Sequence, residues 1–147
     1  KGLNLTDTIL KSILQASRAA EKKHIDIRFE ATSAVSAPHD ANWLCEAIYN
    51  LLDNSIKYSQ ENSAITLSTA ADEMYVRIVV SDMGSGISEN EEGQIFKRFY
   101  RGKNTNGQPG FGLGLYISRQ IVMLHDGFMK ARRKENGLDM YIFLPVS

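Results

Sequence analysis

The chain has little of what marks secreted, nucleic-acid-binding or membrane-bound proteins. Its 147 residues include a single cysteine, Cys45, which cannot form an internal disulfide, and a reducing, cytoplasmic compartment is the simplest expectation. The 17 basic and 17 acidic residues cancel to a formal net charge of zero. Because nucleic acids and anionic membranes attract an excess of positive charge, we expect neither as a partner.

Long hydrophobic runs are also missing. No apolar stretch reaches membrane-spanning length and no signal-peptide pattern opens the sequence, so we expect no direct membrane contact. Internal repeats and interdomain linkers are missing too. A chain of 147 residues that is 43% hydrophobic is large enough to bury a core, and we predict one domain over residues 1–147.

Three glycines are closely spaced in the C-terminal third of the sequence. Gly110, Gly112 and Gly114 occupy alternate positions directly before an apolar pattern of helical spacing. The first N–H groups of a helix lack intrahelical partners and the helix dipole is positive there, so an anion can bind, and glycine lets it approach closely. The run predicts a polyphosphate site. A flexible loop before a helix is the alternative that a glycine run alone leaves open.

A pair of asparagines lies in a predicted helix that begins near residue 40. Asn50 and Asn54 are four residues apart and share one face of this helix, and Lys57 and Tyr58 follow in the next turn. Carboxamide oxygens can bind Mg²⁺, which keeps water and phosphate ligands besides a few protein ligands. A solvated polar face is the alternative, although asparagine is a poor helix former. A wide face of the helix is apolar or small and is expected to be buried: Trp43, Leu44, Ala47, Ile48, Leu51, Leu52, Ser55 and Ile56.

An aspartate ends a predicted strand. Residues 75–80 are rich in β-branched side chains and lead directly to Asp82, Gly84 and Gly86. A carboxylate at this position can accept a hydrogen bond from the 6-amino group of adenine, whereas guanine presents a carbonyl oxygen there. An ordinary turn-forming aspartate before glycine is the alternative.

Together these segments resemble the ATP-binding catalytic domain of bacterial two-component sensor histidine kinases. That group is related to the gyrase, heat-shock chaperone and mismatch-repair ATPases. Residues 50–58 are similar to the N box of the family, 82–86 to its first glycine box, 95–101 to its F box and 110–115 to its second glycine box. The four motifs occur in the family order and cover nearly the whole chain. The F box is the most discriminating, because gyrase-type relatives lack it.

The resemblance implies roles for the matching residues, with ATP and Mg²⁺ as cofactors. The residues implied in catalysis are Asn50, Lys57, Arg98 and Arg101. The implied Mg²⁺ ligands are Asn50 and Asn54. The residues implied in nucleotide binding are Asn50, Asn54, Lys57, Tyr58, Asp82, Gly84, Gly86, Ile87, Arg101, Gly110, Gly112, Leu113 and Gly114. An imidazole acceptor is already a nucleophile near neutral pH, so no general base is required.

Two other functions stay open on the residues. A gyrase-type ATPase or conformational switch would use a glutamate to activate water at the position of Asn50. A serine kinase that inhibits a sigma factor would lack the phenylalanines of the F box, Phe96 and Phe99. Residues 102–109 are polar and are expected to form a mobile ATP lid. Phe111 departs from the small residue that is usual in the second glycine box.

None of the three histidines, His24, His39 and His125, has the sequence context of a phosphoacceptor. We therefore expect all three to be structural and the chain to be a fragment that follows the dimerisation helices. The resemblance implies that it acts on the parent protein's own dimerisation and histidine-phosphotransfer domain, with a response regulator downstream. The isolated domain is expected to be a monomer and cytoplasmic, and its parent a membrane-bound sensor.

The order of the predicted elements favours an α/β fold. Helices are predicted over residues 6–22, from about residue 40 through the asparagine pair, and over 112–125, with a brief helix after Ser88. Strands are predicted over 25–29, 63–69, 74–81, 127–134 and 138–144. We predict a two-layer α/β sandwich, with a mixed sheet of about five strands and about three main helices on one face. The resemblance implies the same architecture, the Bergerat-type ATP-binding fold.

Overall fold

The computed structural model describes residues 3–31, 34–84, 92, 94–97 and 113–147. The helices in these ranges are α1 (Leu5–Lys22), α2 (Ala41–Tyr58) and α3 (Gly114–Leu124). The strands are β1 (Leu3–Asn4), β2 (Asp26–Glu30), β3 (Ser36–Ala37), β4 (Ala64–Ala71), β5 (Tyr75–Asp82), β6 (Phe128–Lys134) and β7 (Gly137–Pro145). The main predicted elements are thus confirmed to within a few residues. The brief helix predicted after Ser88 falls outside the described residues.

Five of the strands form one mixed sheet in the order β2-β4-β5-β7-β6. β2 runs parallel to β4, and the other neighbouring pairs are antiparallel. The predicted α/β class and the mixed sheet are confirmed. A separate small sheet pairs β1 with β3, with Leu3 opposite Ala37. Strands of two residues are too short to show a period, so the sequence pattern does not reveal them.

The helices pack on the sheet with α2 between α1 and α3. On β5 and β7, alternate side chains point into this layer. Ile78 and Ile142 lie opposite each other and are fully buried, whereas Arg77, the neighbour of Ile78 on β5, is exposed. The apolar face of α2 contributes fully buried side chains to the same layer, namely Leu44, Ala47, Ile48, Leu51 and Leu52. The core therefore lies between α2 and the central strands.

Both long helices begin at side-chain caps. The Asn4 side chain accepts the N–H of Thr6 at 2.8 Å, and the Asp40 carboxylate accepts the N–H of Trp43 at 2.9 Å. Such caps satisfy N–H groups that lack partners within the helix. They explain why α1 and α2 begin where the sequence predicts.

Some residues expected to be buried are exposed. Trp43 is 57% exposed, and on α1 the exposed fractions of Leu10 and Leu14 are 49% and 74%. The buried stripe of α1 instead includes small residues such as Ser12 and Ala16. Small side chains allow close packing against α2, and the two leucines then lie outside the contact. Helical spacing in the sequence predicts an inner face of Ile9, Leu10, Ile13, Leu14, Ser17 and Ala20. The burial of Ile9 and Ala20 is confirmed, and that of Leu10 and Leu14 was wrong.

Candidate functional site

The two asparagines lie in the C-terminal half of α2, and Asn50 is close to the start of α3. Asn50 and Asn54 are both half-buried. A Cβ placed on Gly114 would lie 3.8 Å from Cβ and Cγ of Asn50, which is ordinary van der Waals contact. The structure therefore brings Asn50 next to Gly114, the last glycine of the 110–114 run, although the two are 64 positions apart in the sequence.

A buried hydrogen bond holds α3 in this position. The Ser118 hydroxyl donates to the carbonyl oxygen of Ala47 at 2.8 Å, and the Ser118 side chain is fully buried. Ser118 and Gly114 are one turn apart on α3, and Ala47 and Asn50 are about one turn apart on α2. The bond therefore aligns Gly114 with Asn50. Sequence analysis missed Ser118, whose only signal was a polar residue on an otherwise apolar helix face.

Helix α3 begins at Gly114, the last glycine of the 110–114 run. Leu113 precedes the helix and makes no side-chain capping bond in the described structure, while its carbonyl oxygen accepts the N–H of Ile117 at 2.8 Å. The first N–H groups of a helix have no acceptor within the helix, and the helix dipole favours an anion there. Gly114 and Leu113 are thus placed where the sequence predicts a polyphosphate.

Asp82 ends β5 and is only 4% exposed. Its Oδ1 accepts the N–H of Gly84 at 3.1 Å and the N–H of Leu138 at 3.3 Å. Burial raises the pKa of Asp82, while Ser55, the two amides and Lys134 oppose that increase. A buried carboxylate with both described backbone bonds on one oxygen can accept a further bond on the other, so the geometry suits recognition of an amino group.

The glycines beside Asp82 are required by backbone contacts. A Cβ on Gly84 would lie 2.3 Å from the carbonyl oxygen of Tyr58, and a Cβ on Gly137 would lie 2.1 Å from the carbonyl oxygen of Asp82. Gly137 also has a φ of +139°, a backbone angle that residues other than glycine rarely adopt. Gly84 was predicted to allow close approach of a base, and the structure gives it a reason within the protein: β5 packs directly on the end of α2.

The remaining residues of the asparagine helix lie nearby. Lys57 forms an ion pair with Asp53 at 3.2 Å, one turn earlier on α2, and both side chains are about one third exposed. Such a pair contributes little stability, so Lys57 can exchange Asp53 for a phosphate at low cost. Tyr58, at the end of α2, is half-buried.

Lys23 was missed by the sequence analysis. Its ammonium group donates to the carbonyl oxygens of Ile56 at 2.7 Å, Lys57 at 3.2 Å and Ser59 at 2.7 Å. These are the last carbonyls of α2, which have no partners within the helix, and a cation there also opposes the helix dipole. Lys23 therefore stabilises the end of α2 that carries Lys57 and Tyr58.

Two of the three histidines make structural hydrogen bonds. His39 lies 2.8 Å from the Thr8 hydroxyl through Nε2 and 2.8 Å from the carbonyl oxygen of Ala37 through Nδ1. His125 Nε2 accepts the N–H of Asp40 at 3.0 Å, which joins the end of α3 to the start of α2. Both interactions agree with the expectation that these histidines are structural.

Several predicted site residues lie outside the described residues, namely Gly86, Ile87, Arg98, Arg101, Gly110 and Gly112. The predicted lid, residues 102–109, and Phe99 and Phe111 do so as well. Phe96 of the predicted F box is described and is buried, with 5% of its surface exposed. The structure therefore tests the positions of Asn50, Asn54, Lys57, Tyr58, Asp82, Gly84, Leu113 and Gly114.

The oxygen donors of the site suit a hard divalent cation. Within the described ranges, no three His, Cys, Asp or Glu side chains cluster as metal ligands. Asn50 and Asn54 present two neutral oxygens on one face of α2, and Asn50 lies next to Gly114 at the start of α3. This set fits Mg²⁺ only when phosphate oxygens and water complete its octahedron.

The fold and this arrangement define a nucleotide-binding domain of the α/β-sandwich class. Residues 39–147 match the family described as histidine kinase-, DNA gyrase B- and HSP90-like ATPase. The chain belongs to this family, and the predicted ATP-binding fold is confirmed. None of the helices in the described part of the chain combines the length and hydropathy of a membrane-spanning helix.

Curated relatives include sensor kinases of mycobacteria. The signal transduction histidine-protein kinase/phosphatase MprB of Mycobacterium leprae (strain TN) is 30% identical over 149 residues, covering 97% of this chain and 28% of the relative. MprB of Mycolicibacterium vanbaalenii is 34% identical over 150 residues, covering 97% and 30%. The chain thus spans about three tenths of the length of these relatives.

Solved structures of histidine kinases share the fold. The mycobacterial sensor histidine kinase MprB matches with a TM-score of 0.87 at 26% identity, covering 99% of this chain and 97% of that chain. The catalytic domain of histidine kinase ThkA matches with a TM-score of 0.83 at 28% identity, with coverages of 99% and 97%. These matches confirm the predicted likeness to the catalytic domain of histidine kinases, and the gyrase-type and anti-sigma alternatives are not favoured.

Proposed function

We propose that this domain binds ATP with Mg²⁺ and, within its parent protein, donates the γ-phosphate to a histidine of a separate dimerisation domain. The observation that supports the proposal is the proximity of Asn50 to Gly114, where an added Cβ would lie 3.8 Å from the Asn50 side chain. It joins the proposed metal ligands to the uncapped start of α3, where phosphates would bind. A metal ion and a triphosphate need each other in such a site, because neither set of protein ligands is sufficient alone.

Asp82 is assigned to adenine. Its Oδ1 is held by the amides of Gly84 and Leu138, which leaves Oδ2 for the 6-amino group. A hydrogen bond to an ionised acceptor is about twice as strong as a neutral one, and burial excludes competing water. Gly86 and Ile87 would complete the wall beside the base, and half-buried Tyr58 would contact the base or ribose.

The phosphates are assigned to the other end of the site. The amides of Gly112 and Gly114 would bind the β- and γ-phosphates, with Gly110 and Leu113 shaping the turn. Asn50 and Asn54 would hold Mg²⁺, which neutralises charge on the phosphates and orients them. Lys57, Arg98 and Arg101 would supply positive charge, since positioning and electrostatics do nearly all the work in phosphoryl transfer.

The parent protein is proposed to be a membrane-bound sensor of which this is the cytoplasmic, monomeric catalytic domain. Its partners would be its own phosphoacceptor domain and a response regulator. A solved complex of histidine kinase ThkA with the response regulator TrrA supports this: this chain matches its kinase with a TM-score of 0.81 at 26% identity, covering 42% of that chain. The coverage agrees with a catalytic domain that is one part of a longer kinase.

Phosphotransfer to a supplied acceptor tests the proposal. The domain is mixed with labelled ATP, Mg²⁺ and the separately purified dimerisation domain of its parent protein, and label on the acceptor is measured. We expect transfer by the wild type, a large loss with Asn50→Ala, and unchanged transfer with Asn42→Ala, a matched change at an exposed position of α2. Release of free phosphate without any labelled acceptor would instead favour a self-contained ATPase and contradict the proposal.

A further inference from the structure

Two serine hydroxyls, one on α2 and one directly after it, are buried without a hydrogen-bond partner in the part of the chain that the structure describes. Ser55 has no exposed surface, Ser59 is 5% exposed, and neither Oγ has a partner. The two residues are about one helical turn apart. A buried hydroxyl without a partner costs free energy and is uncommon in folded proteins, so each calls for an explanation.

Ser55 lies beside Asp82. An isolated antiparallel bridge joins Ser59 to Gly84, so the last turn of α2 runs alongside the residues that follow β5. Ser55 is one turn before Ser59, and Asp82 is two residues before Gly84. The pKa of Asp82 agrees with this placement: burial raises it, and the hydrogen-bonding influence of the nearby Ser55 hydroxyl is the largest of the effects that lower it, although Ser55 Oγ does not meet hydrogen-bond geometry in this structure.

The carboxylate needs an additional donor when it binds an amino group. Its described backbone bonds, from Gly84 at 3.1 Å and Leu138 at 3.3 Å, are both long and both reach Oδ1. We propose that Ser55 is a positioning residue for Asp82: in the nucleotide-bound site its hydroxyl donates a hydrogen bond to the carboxylate and holds the free oxygen toward the 6-amino group of adenine. This inference rests on the proposed function, in which Asp82 binds adenine.

Lys134 and Asp139, on β6 and β7, are the other charged residues to consider near Asp82. Lys134 on β6 donates to the Ser81 hydroxyl at 2.7 Å and pairs with Asp139 of β7 at 3.0 Å. Lys134 lowers the pKa of Asp82 less than Ser55 does. Lys134 is already paired with Asp139, so Ser55 is the group on the α2 side that can hold the carboxylate as an anion.

Nucleotide binding by serine variants tests the inference. Calorimetry at pH 5–8 compares ATP with purine riboside triphosphate, which lacks the 6-amino group, for the wild type, Ser55→Ala, Ser55→Thr and the matched control Ser59→Ala. We expect Ser55→Ala to weaken ATP binding about tenfold at neutral pH and to leave binding of the analogue unchanged, because the analogue does not use Asp82. Ser55→Thr keeps a hydroxyl and should restore most of the ATP affinity. With Ser55→Ala, ATP affinity should also begin to fall at a higher pH, since Asp82 is protonated more readily.

The outcomes separate this inference from the proposed function. A wild type that binds ATP and the analogue equally would overturn the assignment of Asp82 to adenine, and the role of Ser55 with it. A wild type that prefers ATP, together with a Ser55→Ala variant that keeps the same preference and the same pH profile, would overturn the inference alone. Equal weakening of both nucleotides would also overturn it, since that result indicates a general packing role.

Discussion

Among single residues, Asp82 has the most specific assignment. Asp82→Asn keeps the size of the side chain but replaces an ionised acceptor, and the new amide group can turn a donor toward the amino group of adenine. We expect ATP binding to weaken by roughly 1–3 kcal/mol. Calorimetry with ATP and GTP measures this, with Asp126→Asn as a control, because Asp126 is exposed and its φ of 62° is one that asparagine tolerates. Comparable wild-type affinities for ATP and GTP would contradict the adenine assignment.

Asn54 tests the metal assignment at the same scale. Asn54→Ala removes one of the two carboxamide oxygens proposed to hold Mg²⁺ between protein and phosphates. We expect nucleotide affinity to become nearly independent of Mg²⁺ in this variant, whereas chelation of Mg²⁺ should weaken nucleotide binding to the wild type and to Asn42→Ala. If chelation leaves wild-type affinity unchanged, the asparagine pair is only a polar helix face.

Gly84 and Gly114 differ in what a methyl group would meet. Gly84→Ala would place Cβ 2.3 Å from a backbone oxygen of α2, which forces β5 and α2 apart, whereas Gly114→Ala makes only ordinary contact with Asn50. We expect Gly84→Ala to lower the free energy of unfolding by roughly 1–3 kcal/mol and Gly114→Ala to leave it nearly unchanged. Denaturant unfolding of both variants measures the difference. Equal stabilities would show that the end of β5 can move away from α2 freely.

At the level of secondary-structure elements, the junction between α1 and α2 depends on Lys23. Lys23→Met keeps a long apolar stem but removes the donor to three carbonyl oxygens at the end of α2. We expect a loss of about 1–3 kcal/mol in the free energy of unfolding. Lys22→Met, at the exposed neighbouring position, is the matched control and should have little effect. Thermal or denaturant unfolding that does not separate the two variants would contradict this role.

Features set by neighbouring residues in the sequence can be predicted from it, whereas contacts between distant segments cannot. Helices and strands with clear periods are predicted well, because burial on one face imposes the period. The exposure of Trp43 and Leu124 is not predicted by the sequence, because the helix pattern does not show which neighbouring element covers each face of a helix. Ser81, Lys134 and Asp139 meet only through the register of β5, β6 and β7, which sequence spacing does not contain. Motif residues near a turn, such as Asp82, can be identified, but the groups that support them across the sheet cannot.

For the whole molecule, Asp82 links function to pH-dependent stability. Burial raises the pKa of Asp82 above its ordinary value of 3.8, so between the unfolded and folded pKa values the folded state binds more protons than the unfolded state. The Asp82 contribution to stability therefore decreases as pH rises through that window. We expect nucleotide-free Asp82→Asn to be more stable than the wild type at neutral pH, with the difference shrinking on acidification. Denaturant unfolding from pH 7 down to 4 measures the difference, and a difference that grows toward low pH would have the wrong sign.

The central place of β5 in the sheet has a consequence for hydrogen exchange and adaptability. β5 is paired on both sides, by β4 and β7, so its amides should open only when the whole domain unfolds. The 11-residue α3 buries only Ser118, Ile121 and Val122, so it belongs to the part that opens more easily. Asp82 is anchored in the first part and Gly114 begins the second. The base would therefore bind to the more stable part of the domain, at Asp82. The triphosphate would bind at the start of α3, which can change position more easily during phosphoryl transfer.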